Sequence, residues 1–342
     1  MYIFKYPSLI SIFVTNKCNL RCKHCCFDAG ESHQKEMTTI QIKQIIDEIT
    51  DMGIVCLDFS GGEPFLREDI IELIEYAYRS GIKSISVATN TLSITDEQIK
   101  ALKAIQEEYR LFYLRISLDG STAQTHEWLR GLGTFDLTIN KIKKLVDFGI
   151  NIRESNFVVS KKNYDEVFSA ARIAKDFGIK TLVVIPLIPV GRAEELMDYM
   201  INPMEWKELC IKKSQYENEV GIEIFADSPV SSTLKKENIG KNLPCMCGYQ
   251  FIGISPTGNY TICPIVSEGD YTIYDMGISD FWNKSELIRK VRDIKNLKGE
   301  CAICNFKELC RGGCRGLSKC FYGDFYMPDP MCWLRNESTV EG

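Results

Sequence analysis

The stretch LISIFVTNKCNLRCKHC, Leu9–Cys25, runs a short apolar segment straight into three cysteines. Leu9–Val14 has the length and character of a strand buried on both faces. The cysteines follow in a loop, spaced Cys18-x3-Cys22-x2-Cys25. Three thiolates so close together can cap one face of an iron–sulfur cluster or hold zinc. Three ligands instead of four leave a position open, and an open position signals chemistry. Cys26 directly follows Cys25 and reads as a spectator, because adjacent cysteines rarely serve one small cluster.

Outward from this loop, the first 190 residues alternate β-rich runs with amphipathic helical patterns. The strand candidates are Leu9–Val14, Val55–Ser60, Ser84–Thr89, Tyr113–Leu118, Ile152–Val159 and Thr181–Leu187. The helix candidates are Thr39–Asp51, Asp69–Ser80, Asp96–Glu108, Leu137–Phe148 and Tyr164–Phe177. Gly53, Gly81, Gly149 and Gly178 each stand where a helix should end and a strand begin. Six βα units imply a parallel sheet with right-handed crossovers. No Gly-x-Gly-x-x-Gly is present, so a curved, barrel-like sheet fits better than a doubly wound one. In barrels the chemistry sits on loops after the strand ends, where each motif below falls.

The chain has 342 residues, 15 of them cysteine, and a formal charge of −5. An acidic balance argues against a nucleic-acid coat. An odd cysteine count excludes complete internal pairing. The N-terminus lacks the basic start and small-residue cleavage site of an export signal, and no apolar run is long enough for a membrane span. These features predict a cytoplasmic, metal-ligating chain. Residues 201–242 read as a bridging region, with a polar helix from Pro203 to about Val220 and a short strand, Gly221–Phe225. After Leu243 come nine cysteines amid dense glycine and turn signals, the composition of a small domain held by metal.

Cys18-Asn19-Leu20-Arg21-Cys22-Lys23-His24-Cys25 resembles the signature of the radical S-adenosylmethionine (SAM) enzymes. The resemblance implies that Cys18, Cys22 and Cys25 hold a [4Fe–4S] cluster whose fourth iron chelates SAM, with His24 against the adenine. Gly61-Gly62-Glu63-Pro64, after the second strand, resembles the family's receptor for the SAM ammonium group. Asn90 ends the third strand, and Ser117-Leu118-Asp119-Gly120 ends the fourth. Ser117 and Arg130 match family positions near the SAM ribose or carboxylate. A helix cap is the plainer reading of Ser117 and Asp119. His126 reads as a surface residue, and Pro186–Arg192 resembles the segment flanking the adenine.

Cys301-x2-Cys304-x5-Cys310-x3-Cys314, with Cys332 beyond and Cys247, Gly258 and Cys263 upstream, resembles the SPASM domain. The resemblance implies two auxiliary [4Fe–4S] clusters, three clusters in all. Cys301, Cys304, Cys310 and Cys332 would hold the outer one, and Cys247, Cys263 and Cys314 the inner one. Only Cys245 is available as a fourth inner ligand, unusually close to Cys247, so the inner cluster is either closed by Cys245 or open at one iron. Cys320 is a rival to Cys332, and Cys56 reads as core.

The expected architecture is therefore α/β: a partial (β/α)6 TIM-like barrel over residues 1–200, the bridge at 201–242, and an iron–sulfur domain over 243–342. The implied reaction is one-electron cleavage of SAM to methionine and a 5′-deoxyadenosyl radical, which abstracts a hydrogen from substrate. A flavodoxin- or ferredoxin-type donor would supply the electron. The resemblance favours a peptide or small protein substrate and a thioether or carbon–carbon cross-link. Pro264, not aspartate, follows Cys263, which departs from the sulfatase-maturing branch. The first strand starts too close to Met1 for a preceding leader-binding module, so leader recognition would fall to a separate protein, to the 190–245 region, or to nothing at all. The alternative is oxidation or decarboxylation of a small molecule such as a haem precursor or a sugar. A non-catalytic electron carrier would need neither an open iron nor a SAM cradle. Nucleic-acid and membrane partners are not expected.

Overall fold

The computed structural model describes residues 4–33, 35–237, 244–266 and 271–337. Nine strands form one sheet: β1 Leu9–Phe13, β2 Cys56–Ser60, β3 Ser84–Thr89, β4 Phe112–Ser117, β5 Ile152–Val159, β6 Thr181–Pro186, β7 Glu223–Ala226, β8 Phe251–Ile254 and β9 Tyr260–Thr261. The sheet order is β7-β6-β5-β4-β3-β2-β1-β8-β9, and every pair except β8–β9 is parallel. The α/β architecture, with a parallel sheet, agrees with the expected frame. β7, expected in the bridge, is a seventh parallel strand of that frame.

The helices pack on the outer face: α1 Thr39–Asp51, α2 Ile70–Ser80, α3 Asp96–Glu108, α4 Ala123–Arg130, α5 Thr134–Asp147, α6 Val167–Asp176 and α7 Pro203–Val220. Their starts are written locally. Thr38 with Gln41, Thr95 with Gln98 and Asn202 with Glu205 form reciprocal capping boxes, each satisfying N–H groups that a helix leaves orphaned. α1 then buries Ile42, Ile45, Ile46 and Ile49 at helical spacing. α5 begins a turn earlier than its apolar pattern, after Gly133 in left-handed conformation. α4 has no amphipathic signature. It is eight residues long, and its buried face is His126, Leu129 and Arg130.

Along the strands, successive side chains point to opposite faces of the sheet. Ile10, Ile12, Leu57, Phe59, Ile85, Val87, Leu114 and Ile116 belong to the core against the helices. The intervening positions, Ser11, Asp58, Ser86 and Arg115, face inward and are polar. Ser11 Oγ and Ser86 Oγ donate to the Asp58 carboxylate, and Arg115 pairs with it at 2.6 Å.

The cysteine-rich C-terminal region does not stand apart from this sheet. β8 pairs with β1 from Leu9↔Phe251 to Ile12↔Ile254. The expected boundary between residues 242 and 243 lies outside the described residues. Among the described residues no helix is long and apolar enough to cross a membrane.

Gly253 makes the β1–β8 seam possible: a Cβ there would lie 2.5 Å from Thr261 Oγ1 and 2.9 Å from the Phe13 ring. Gly253→Val should therefore cost about 1–3 kcal/mol through overpacking, read as a lower midpoint in thermal unfolding. An unchanged midpoint would contradict a seam packed this closely.

Candidate functional site

The first cysteine loop is held by backbone on both sides. Cys18 N donates to Gly30 O (2.8 Å), and Gly30 N to Asn16 O (2.8 Å). The turn after β2 closes over it: Gly62 N donates to Thr15 O (2.7 Å) and Glu63 N to Lys17 O (2.8 Å). Side chains at Gly61 or Gly62 would collide with the carbonyls of Thr15 and Lys17. Both glycines thus seat the turn on the chain's own backbone. Glu63 is fully buried and accepts from Thr89 Oγ1, Asn90 N and Phe65 N. Pro64, also buried, opens the short turn that follows. Asn90 reaches back with its amide to Asn19 Oδ1 (2.8 Å) and Cys18 Sγ (3.8 Å).

Cys18, Cys22 and Cys25 lie within electrostatic reach of one another. Burial pushes the Cys18 thiol up to about 11 and the Cys22 thiol above its ordinary value. Leu20 N and Ala29 N each point at a sulfur, of Cys18 and Cys25 respectively, at 3.4 Å. Soft thiols, backbone N–H donors and a nearby cation are a donor set suited to an iron–sulfur cluster.

The cation is Arg130, at the end of α4, whose Nη1 lies 3.9 Å from Cys22 Sγ. Its Nε donates to Asp119 Oδ2, and His24 Nε2 lies 3.3 Å from the same oxygen. Asp119 is fully buried. Burial would raise its carboxyl, but Arg130 and then His24 outweigh this and hold it below the ordinary carboxylate range. Burial pushes His24 down to about 4, so it is neutral near pH 7. Ser117 is half-buried at the end of β4, in register with Asn156.

His126 is fully buried, not at the surface: its Nδ1 accepts from Asp119 N at 3.3 Å. Two further contributors lie in segments that the family resemblance covers but that gave them no such role. Asp119 reads most plainly from sequence as a cap. Arg192, past β6, binds Cys22 O (2.9 Å), Ala29 O (2.9 Å) and Asp28 (2.6 Å). Gly191 admits this clasp, since a Cβ there would meet Cys25 O at 2.7 Å.

In the C-terminal region, Cys301, Cys304, Cys310 and Cys332 line one small cavity, of about 20 Å³, together with Gly312, Gly313 and Asp329. Cys320 is elsewhere, its thiol 3.4 Å from Pro189 O. Cys245, Cys247, Cys263 and Cys314 form a second group. The Cys247 thiol lies within electrostatic reach of those of Cys245 and Cys263, and so does Cys314 of Cys245 and Cys263. Arg311 fixes Cys245, donating to its carbonyl at 2.8 Å while stacking 3.8 Å above the Tyr249 ring. Cys26 bridges the regions electrostatically, near both Cys25 and Cys263; burial pushes its thiol up to about 12. Cys210 is core, and Cys56 opens β2 half-buried. Among the described residues no group of three or more His, Cys, Asp or Glu side chains is arranged around a single metal ion.

His126 gives a pH test. Burial pushes its imidazole down to about 4. Below about pH 6.5 the unfolded chain takes up a proton that the folded one refuses, so stability falls as pH drops toward 4. The contribution is up to about 3 kcal/mol. His126→Gln should flatten that part of the stability–pH curve. Superimposable curves for variant and wild type would rule the assignment out.

Comparison with known proteins follows the same geometry. The model of the Radical SAM superfamily matches residues 12–161. An AdoMet-dependent heme synthase of Methanosarcina barkeri is 30% identical, covering 96% of this chain and 97% of that protein. The mycofactocin maturase MftC of Mycolicibacterium smegmatis is 30% identical, covering 95% and 82% respectively. Streptococcus suis SuiB bound to precursor peptide SuiA superposes with a TM-score of 0.81 at 18% identity, covering 97% of this chain and 77% of that one, a likeness of fold. Relatives at this identity along nearly the whole chain, over a three-cysteine loop at the end of a parallel strand, place it in a family that uses SAM and a [4Fe–4S] cluster: the chain belongs to the radical SAM superfamily.

Proposed function

We propose that this enzyme modifies a peptide, using one SAM-binding and two auxiliary [4Fe–4S] clusters. Cys18, Cys22 and Cys25 are assigned to the first. Cys301, Cys304, Cys310 and Cys332 are assigned to the outer auxiliary cluster, supported by the cavity they line. Cys245, Cys247, Cys263 and Cys314 are assigned to the inner one. The closeness of Cys245 to Cys247, within electrostatic reach, supports full ligation there, with no iron left open. When bound, the first cluster and SAM supply one-electron cleavage of SAM to 5′-deoxyadenosine and methionine once hydrogen has been taken from substrate.

The chain's own residues orient that chemistry. Arg130, anchored by Asp119, sets a positive charge beside Cys22. His24 offers a neutral ring for the adenine. Gly61, Gly62, Glu63, Pro64 and Asn90 shape the SAM cradle through the turn they order, and Ser117 edges it from β4. The barrel interior shields the reacting atoms from water.

The observation that carries the substrate class is the charge of that interior. Arg115, an inward-facing arginine of β4, is already paired with Asp58. Glu154 and Asp227 are further acidic groups within electrostatic reach of it, and burial raises the carboxyl of each. A haem precursor carries several carboxylates and would call for unpaired cations there. A peptide, neutral or basic at the modified segment, meets no such conflict. MftC and the peptide-bound SuiB support the same reading. A second reading, oxidative decarboxylation of a porphyrin, is kept by the heme synthase match along nearly its whole length.

Anaerobic turnover with precursor peptides and with iron–porphyrin precursors, read by mass spectrometry, tests the proposal. Peptide-dependent acceleration of SAM cleavage with loss of two hydrogens from the peptide is expected. Acceleration by the porphyrin alone would decide for the second reading. Reconstituted protein should hold about twelve irons per chain, and a count near four would remove both auxiliary clusters from the proposal. Cys22→Ala should abolish 5′-deoxyadenosine formation, whereas retained formation would refute the assignment of the first site.

A further inference from the structure

Arg315 opens the helix Arg315–Tyr322, directly after Cys314, and is 3% exposed. Among the described residues, Nε, Nη1 and Nη2 of its guanidinium all lack a hydrogen-bond partner. The contrast with the chain's other enclosed arginines is sharp, since Arg130 pairs with Asp119 and Arg115 with Asp58. A guanidinium carries five N–H donors and a permanent charge. Buried without a partner, it strongly destabilises a fold.

The nearest carboxylate does not answer it. Asp329 is fully enclosed, but its oxygens accept from Cys314 N (2.7 Å) and Met331 N (2.8 Å). The surroundings of Arg315 are instead Cys301 of the outer cysteine group, Cys245 of the inner group, and the rings of Tyr249 and Tyr326, the latter at 5.8 Å. Gly312 leaves the guanidinium its space, because a side chain there would run into Nη1. The charge is thus buried between two thiol groups. Protonated thiols are neutral and give it nothing. Thiolates bound to iron carry net negative charge on their sulfurs.

We propose that Arg315 is the shared counter-cation of the two auxiliary clusters, a positioning residue whose guanidinium holds both at a higher reduction potential. This rests on the two-cluster reading above. Net charge and hydrogen bonds to the sulfurs are the main protein levers on such potentials. A fixed cation between the clusters favours the reduced, more negative state of each.

The test compares wild type, Arg315→Met and Arg315→Lys as reconstituted full-length protein, reading iron content and cluster midpoints by redox titration followed by electron paramagnetic resonance. The expected result is a shift of both auxiliary midpoints to more negative values in the Met variant. The SAM-binding cluster should stay unmoved, and the Lys variant should restore most of the shift. In iron-free protein the Met variant should unfold at the same temperature as wild type or higher, since it removes an unpaired buried charge. Auxiliary midpoints unmoved in a Met variant holding full iron would overturn the role of Arg315 and leave the clusters standing. If the Met variant takes up no auxiliary iron, the Lys variant decides: loading with near-wild-type midpoints supports the counter-cation, and loss of auxiliary iron there too overturns it. A wild-type count near four irons would overturn both this inference and the reading beneath it.

Discussion

The buried carboxylate of Asp119 is the interaction on which the site depends. It lies two residues past β4, and one oxygen accepts from Val158 N of β5 at 2.7 Å. The other gathers Arg130 from α4 and His24 from the cysteine loop. Its carbonyl accepts from Asn163, and its N–H donates to His126. Strand positions are fixed by the sheet ladder, but the loops beyond strand ends have no ladder of their own. One side chain here ties the loop after β4 to β5, to the end of α4 and to the cysteine loop. Without it Arg130 would be an uncompensated charge in a dry setting, and breaking a buried pair this way costs about 3–5 kcal/mol.

The same electrostatic logic runs through all the cysteine groups. Burial holds most of their thiols above the ordinary range, with Cys301 at about 11 and Cys332 at about 12. The protein without metal therefore keeps neutral sulfurs next to fixed cations, Arg130 at Cys22 and Arg315 between the other two groups. Only ligation, which strips the thiol protons, brings the two charges into balance. Backbone strain collects in the same places. Among the described residues the non-glycine positions with left-handed backbone are Asp28, Thr91 and Arg311. They stand three residues after Cys25, next to Asn90, and next to Cys310. Such strain persists where the surroundings over-determine the conformation.

The sequence carried the barrel clearly because its helices and strands are locally consistent. Ile42, Ile45, Ile46 and Ile49 mark one helix face, and Gly53, Gly81, Gly149 and Gly178 stop four helices in left-handed conformation. The cysteine spacings were equally legible, since ligands to one site must be close in the chain or bracketed by turns. α4 was not legible, because its buried face is a histidine and an arginine that the site uses, not an apolar stripe. β8 was missed for a related reason: four residues beside glycines and cysteines look like loop until β1 supplies a partner. Asp119, Arg192 and Arg315 act on groups distant in sequence. A charged residue carries no local mark of the partner that folding will bring it.

The sheet explains how one frame can serve different substrates. β8 lies between Cys247 and Cys263 in the chain and pairs with β1, the strand that leads into Cys18. Hydrogen bonds of a single parallel ladder therefore fix the separation of the first and inner cysteine groups. The outward residues of other strands of the sheet, such as Leu114 of β4 and Ala226 of β7, are locked into the helix-facing core. Their neighbours, Arg115 and Asp227, point the other way and meet no such constraint. Period-two alternation thus separates what must stay from what can vary. Two relatives with different names, a heme synthase and a mycofactocin maturase, match this chain equally well at 30% identity, because overall identity is dominated by the frame. Sites are grafted on folds by a few positions, and the inward ones of this chain include the paired Arg115 and Asp58 with Glu154 and Asp227 close by.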